Sequence, residues 1–254
     1  MNKDAALYFY QNLNKNKIAL SYLKERSINK NTIKKFGIGF AENSWESLYK
    51  HMISCGHSGD DLESAGLVVK RQNVGGYYDR FRNRIIFPII DTNRKVLAFG
   101  GRSIDLHMPK YLNSPETLIF SKGDNLYGLN IVNKKKDINK IVLVEGYMDV
   151  ISLYNNGINY SVASLGTAFT PNQAKLLKSY RKEVFICYDS DEAGLKATDR
   201  AIDILKDEGI NGKVILLPSG QDPDDFIKKK GKERFEELFK DSLNYIDFKI
   251  HFIK

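Results

Sequence analysis

The chain has 254 residues, 42% of them hydrophobic, which is enough to bury one large core or two ordinary ones without covalent staples. Cys55 and Cys187 are too few for a disulfide framework or a four-ligand zinc site, no apolar stretch reaches membrane-spanning length, and the opening Met1-Asn2-Lys3-Asp4-Ala5-Ala6 lacks a signal peptide's basic and apolar regions, so the expectation is a cytoplasmic protein with no zinc in this chain and no membrane partner. The formal net charge of +8 is uneven, with +9 on residues 1–137 and −1 on residues 138–254.

From Ala5 to about Gly66 the signals are helical. Leu7, Tyr10 and Leu13 recur at turn spacing, as do Ile18, Tyr22 and Leu23, and the pattern continues over 29–36 and 45–53. Leu67-Val68-Val69, Gly76-Tyr77-Tyr78, 84–90 and 95–100 then predict an antiparallel sheet, with Asp91-Thr92-Asn93-Arg94 as the hairpin turn between the last two. A helical run near 127–132 precedes a polar, basic link over 133–139, where the sequence places a boundary between 1–137 and 138–224.

Beyond the link the chain reads strand, helix, strand, helix. Ile141 to Val144 is a strand that turns at Gly146 into a helix beginning near Met148, and Tyr160 to Ser164 is the next strand. Thr170 supplies an N-cap with Pro171 at the first helical position; strand 184–188, helix 193–208 and strand 213–217 follow. Residues 225–254 are again helical, with Phe226, Phe235, Leu238 and Phe239 apolar, and the pattern is cut at Lys254. The predicted class is α/β: an α+β first part, a second part built on a mainly parallel sheet, and a truncated helical tail.

Carboxylates stand where the buried strands of the second part end. Glu145 and Asp149 follow strand 141–144, Asp189 and Asp191 strand 184–188, and Asp222 and Asp224 the last strand, 213–217. In open parallel sheets ligands sit beyond the carboxyl ends of the strands. Magnesium takes carboxylate oxygens together with substrate phosphates, and paired metals stabilise both oxygens of a phosphoryl transfer. A turn at Gly146 aims Glu145 and Asp149 at one point, and Asp189 and Asp191 share a face if their strand continues. Acids before a helix also serve as N-caps favoured by its dipole, which is the alternative reading of any single cluster; three clusters in register favour metal.

In the basic half, Arg80, Arg82 and Arg84 alternate, so a strand there presents a row of guanidinium groups suited to phosphate; a solvated arginine ladder is the alternative. A basic part joined to clustered acids points to a bound polyanion and metal chemistry. His51, Cys55 and His57 lack paired ligand spacing, and Tyr77, Tyr78 and Tyr111 read as core aromatics, with base stacking as the alternative.

Glu145-Gly146-Tyr147-Met148-Asp149 followed by Asp189-Ser190-Asp191 resembles the toprim domain of topoisomerases and primases. The surrounding chain resembles bacterial replicative primase of the DnaG type. The resemblance is carried by Asp79-Arg80-Phe81-Arg82-Asn83-Arg84, Phe99-Gly100-Gly101-Arg102, 109–117, Phe120-Ser121-Lys122-Gly123, Leu126-Tyr127-Gly128, 163–167 and Asp222-Pro223-Asp224, in order along nearly the whole chain. It implies a DNA-directed RNA polymerase core that makes short RNA primers from ribonucleoside triphosphates on single-stranded DNA, yielding an RNA–DNA primer hybrid at the replication fork. It implies Glu145, Asp189 and Asp191 as catalytic metal ligands with Asp149, Asp222 and Asp224 around them, holding Mg²⁺ or Mn²⁺. Arg26, Arg80, Arg82, Arg84, Lys110, Asn113 and Lys122 fall on the implied template and nucleotide path. The family's zinc-binding and helicase-binding domains find no match, so the resemblance implies a fragment, or a reduced relative, whose helicase contact would require a C-terminal domain absent from this sequence. Another toprim nucleic-acid enzyme, topoisomerase or nuclease, and a non-catalytic module that binds single strands or nucleotides remain the alternatives.

Overall fold

The computed structural model describes residues 1–72, 75–105, 108–132, 139–180 and 183–253, which divide into two compact units, Met1–Ser121 and Lys122–Lys254. The segment 133–138, where the sequence places its boundary, lies outside the described residues; residues 122–132 go with the second unit.

The first unit runs α1 (Asn2–Lys15), α2 (Lys17–Glu25), α3 (Lys30–Phe36), β1 (Gly39–Ala41), α4 (Ser47–Ser54), α5 (Gly59–Ser64), β2 (Val68–Lys70), β3 (Tyr77–Asp79), β4 (Arg84–Ile90), β5 (Val96–Ser103) and β6 (Tyr111–Asn113). Asn16, Asn29 and Ser58 start α2, α3 and α5 by accepting from backbone N–H groups that the first turn leaves without an internal partner. The helical phase differs from expectation. Leu7 and Ile18 are exposed, while Ala5, Phe9 and Leu13, four residues apart, form the buried stripe of α1. Phe9 sets this choice by packing edge-on against Phe81 and Phe99, with centroids 6.5 and 5.5 Å away.

Strand order is β1-β4-β5-β6, antiparallel throughout, beside a two-stranded ribbon of β2 and β3. β1 lies inside the region expected to be helical; it pairs with β4 from Gly39 opposite Ile86 to Ala41 opposite Arg84. The turn between β4 and β5 falls where predicted, Asp91 Oδ1 accepting from Asn93 N at 2.9 Å and Lys95 N at 2.8 Å. One continuous strand through 80–84 does not form: β3 ends at Asp79 and Asn83 takes φ 51°, a left-handed value that breaks the alternation.

The second unit contains a 3₁₀ turn (Lys122–Asp124), β7 (Lys140–Val144), α6 (Tyr147–Asn155), β8 (Ser161–Ala163), α7 (Pro171–Lys178), β9 (Glu183–Ile186), α8 (Glu192–Asp207), β10 (Gly212–Val214), α9 (Pro223–Glu237) and α10 (Tyr245–Ile253). Its sheet is parallel in the order β10-β9-β7-β8. The helical run expected near 127–132 is instead a set of turns. Tyr127 exchanges backbone hydrogen bonds of 2.9 and 3.1 Å with Ala163, and Gly128 takes φ 83°. Ile141, Leu143, Val162, Val184, Ile186, Ala201, Leu205 and Val214 share one core with α7 and α8 residues. After β7 the chain moves to one side through β8, then crosses back to β9 and β10. The switch point therefore lies between β7 and β9, at their carboxyl ends.

Candidate active site

Glu145 leaves the end of β7 at this switch point, and its Oε1 accepts from Asp189 N at 3.2 Å, joining the ends of β7 and β9. Burial raises its pKa; the Asp189 amide opposes the shift and the nearby Asp191 carboxylate adds to it. Asp149 is buried in the first turn of α6, its Oδ2 accepting from Gly146 N at 3.0 Å. Its pKa is pushed well up, first by burial and then by the charges of Asp189, Asp222 and Asp224. Like charges nearby add to the burial effect on both carboxyls.

Asp191 and Asp222 also cap helices. Asp191 Oδ1 accepts from Gly194 N at 2.7 Å to start α8, and Asp222 Oδ1 accepts from Asp225 N at 2.6 Å to start α9. Thus β9 does not continue to Asp191, as the shared-face expectation required; the strand ends at Ile186, and Asp191 is placed by its cap. Capping and convergence coexist in the same side chains. Ser190 ties the two acidic loops together: its hydroxyl donates toward Pro218 O at 2.8 Å and Gln221 O at 3.0 Å and accepts from Gln221 N at 3.0 Å.

Gly194 is required by close approach. A Cβ there would lie 2.1 Å from the Asp189 carbonyl oxygen and 3.0 Å from Glu145 Oε1, so the helix start is pressed against the acids. Asp222, Asp224 and Asp225 each offer a carboxylate oxygen within 4.8 Å of the others, and buried Asp224 is paired with Lys228 Nζ at 2.6 Å. An all-oxygen donor set with converging negative charge fits a hard divalent cation.

The basic candidates divide. Arg84 is buried, donating to Pro109 O at 2.8 Å and Gly101 O at 3.4 Å, and Arg80 donates through Nε and Nη2 to Asn113 O at 3.2 and 3.0 Å. Arg82 lies over Trp45 at 4.2 Å and over Tyr78 at 5.3 Å. The expected row of three guanidinium groups on one face therefore does not exist, because Arg80 and Arg82 lie outside the strands and the left-handed Asn83 breaks the alternation before Arg84 opens β4. Arg26 lies over Tyr22, and Lys110 is exposed beside Tyr111. In the second unit, Lys122 is set by α7, where buried Gln173 donates to Lys122 O at 2.9 Å and Asn125 O at 2.8 Å. The predicted Thr170 cap is present as a capping box with Gln173, and its hydroxyl donates to Gly123 O at 2.6 Å.

Sequence reading missed Asp225, Ser190, Gly194, Lys228 and Trp45. The spacing of four between Asp224 and Lys228 was a usable signal, since residues so placed meet on a helix. Trp45, exposed and outside α4, carried none beyond its rarity.

Acids gathered at the switch point of a parallel sheet, with an oxygen donor set suited to a divalent cation, define a toprim-type domain, and comparison with known proteins narrows the class. Residues 8–133 match the DNA primase catalytic core, N-terminal domain, and residues 142–227 match the Toprim-like family. The DNA primase of Clostridium acetobutylicum is 50% identical over 251 residues, covering 99% of this chain and 42% of that protein. A DNA primase domain from Pseudomonas aeruginosa superposes with TM-score 0.88 at 38% identity, covering 96% of this chain and 78% of that one. A DnaG primase catalytic domain bound to single-stranded DNA gives 0.88 and 38%, covering 97% and 81%. The chain belongs to the DnaG-type DNA primase catalytic-core family. It spans less than half the length of the curated primases it matches. Among the described residues, no helix is long and apolar enough to cross a membrane.

Proposed function

We propose that this chain is the portion of a primase that joins ribonucleoside triphosphates into a short RNA primer on single-stranded DNA. The observation that carries this reading is the acidic carboxyl edge of the parallel sheet, where Glu145 Oε1 accepts from Asp189 N at 3.2 Å and Asp222, Asp224 and Asp225 bring carboxylate oxygens within 4.8 Å of one another. Magnesium, with manganese as a substitute, when bound there supplies positive charge against the triphosphate and lowers the pKa of the attacking hydroxyl. Glu145, Asp189 and Asp191 are its principal ligands, with Asp149, Asp222 and Asp224 around them.

In the reaction the primer 3′ oxygen forms a bond to the α-phosphorus. The bond from that phosphorus to the α–β bridging oxygen breaks, pyrophosphate leaves with the electron pair, and the hydroxyl proton passes to solvent. The acids orient the reacting groups, and catalysis of this kind is mostly positioning and charge stabilisation.

Arg26, Arg80, Arg82, Lys110, Asn113 and Lys122 serve the template and nucleotide path, and Arg84 acts indirectly by holding the Pro109 carbonyl beside Lys110. Trp45 and Tyr78, with Arg82 against both, form a platform on which bases of any sequence stack. The product is an RNA–DNA hybrid, which assigns the chain to the cytoplasmic replication fork. Contact with a replicative helicase falls, in this reading, to parts of the longer relatives that this chain does not span.

Extension of an annealed RNA primer with labelled ribonucleotides, in Mg²⁺ or Mn²⁺, is the test. The Asp189→Asn, Asp191→Asn double variant keeps the cap at α8 and should abolish extension. Extension that persists at the wild-type rate overturns the reading.

A further inference from the structure

Lys228 belongs to neither the sequence-predicted acids nor the basic path, yet it touches the most enclosed ligand at the α9 end of the cluster. Its Nζ lies 2.6 Å from Asp224 Oδ1, with side-chain exposures of 25% for the lysine and 7% for the aspartate. The adjacent pair, Lys229 with Asp225, is the ordinary kind: 3.6 Å apart, 61% and 51% exposed, and screened by water. Both pairs have the same helical spacing, so spacing alone does not explain why one is closed and the other open.

The difference lies in what surrounds Asp224. Its carboxylate, with those of Asp222 and Asp225, forms a corner in which three ligand oxygens lie within 4.8 Å of one another. Asp222 is held there by its cap to Asp225 N, and Asp224 is buried in the first turn of α9, so these two carboxylates are kept close together. A cation on Asp224 Oδ1 makes this corner tolerable when no metal is present. It also stands within a few ångströms of any divalent ion the same oxygens would hold, where like charges repel strongly.

We infer that Lys228 is a built-in competitor of the divalent cation, neutralising the Asp222, Asp224 and Asp225 corner in the metal-free protein and weakening its hold on the metal. This rests on the reading of the acidic edge as a metal site. The corner is therefore an exchangeable position, and Lys228 acts through Asp224 as a positioning residue.

The test is Mn²⁺ binding to the whole chain without nucleotide, followed by the electron paramagnetic resonance of free Mn²⁺. Lys228→Met should bind Mn²⁺ about tenfold more tightly at this corner, Lys228→Arg should match wild type, and Lys229→Met should change affinity by less than about twofold. The metal-free Lys228→Met protein should also melt below wild type and regain the difference on Mn²⁺ saturation. If it does not fold without metal, Lys228→Gln, which keeps a donor to Asp224 but removes the charge, gives the same comparison. Unchanged or weaker affinity on loss of the Lys228 charge, or equal tightening in Lys229→Met, overturns the inference. An Asp222→Asn, Asp224→Asn variant separates the two readings. If it loses part of the bound Mn²⁺ while Lys228→Met matches wild type, only the competitor role falls; if it binds as wild type does, this corner holds no metal and the inference falls, while the Glu145, Asp189 and Asp191 site is judged by the primer-extension test.

Discussion

Gly194→Ala adds one methyl group where the start of α8 meets the acids. The new Cβ would sit 2.1 Å from the Asp189 carbonyl oxygen and 2.9 Å from the carbonyl carbon, both backbone atoms that cannot swing aside. Reaching the roughly 3.4 Å of ordinary contact requires a shift of about 1 Å between the helix start and the Asp189 loop. Overpacking of this size costs about 1–3 kcal/mol, while alanine returns up to about 1 kcal/mol of helix propensity. The net loss of about 1–2 kcal/mol lowers the melting temperature by roughly 2–8 °C. The catalytic effect is larger, because the same shift moves Asp189, the Glu145 contact and the Asp191 cap together, and about 1 Å of misplacement costs roughly a hundredfold in rate. Thermal melting by circular dichroism and primer extension on one preparation measure the two effects. An alanine variant that extends primers at more than half the wild-type rate refutes the claim that close approach at Gly194 sets the acids.

Buried Asp79 accepts from Leu48 N and Tyr49 N at 2.8 Å each, and burial raises its pKa to about 6. A carboxyl raised on folding favours the folded state below its unfolded pKa near 4, and that contribution, up to roughly 3 kcal/mol, is lost as pH rises through about 6. Urea melts across this window should show the loss in wild type and a flatter profile in Asp79→Asn; parallel profiles would contradict the assignment. Arg84→Met leaves the Pro109 carbonyl without its donor and should destabilise the protein by about 2–4 kcal/mol, whereas Arg82→Ala should stay within about 1 kcal/mol in the same melts. On single-stranded DNA, Arg82→Ala should reduce the salt slope by about 1, and Trp45→Ala should weaken binding by about 1–3 kcal/mol at an unchanged slope. A reversed pattern in fluorescence anisotropy would remove the stacking platform. Ser190→Ala should weaken Mn²⁺ binding by severing the acidic loops, and Ser190→Thr should restore it; equal affinity in all three proteins would mean the loops hold without the hydroxyl.

Features that depend on a few consecutive residues were legible. The apolar runs at 141–144 and 184–186, the Thr170-Pro171 helix start and the Asp91 turn each stand where local chemistry put them. What failed needed knowledge of neighbours distant in sequence. The inward phase of α1 is chosen by Phe81 and Phe99 rather than by its own periodicity. Tyr127 leaves its expected helix because Ala163 offers a backbone partner. Arg84 looked like a surface cation because its alternation with Arg80 and Arg82 is visible, while Asn83's left-handed turn and the carbonyl of Pro109 are not. At the acidic edge the positions of the carboxylates were readable from strand ends. Gly194 and Ser190 were not, since their roles exist only once β7, β9 and the loop before α9 are side by side.

Asp191 and Asp222 each commit one carboxylate oxygen to a helix and leave the second for other work. An asparagine at either position would keep the oxygen that begins the helix and surrender the charge. On the proposed function, the same change in both would leave a domain that folds with both helix starts intact yet lacks the charge that nucleotide addition requires. On that reading, fold and chemistry separate at single-base changes, since aspartate and asparagine codons differ at one position.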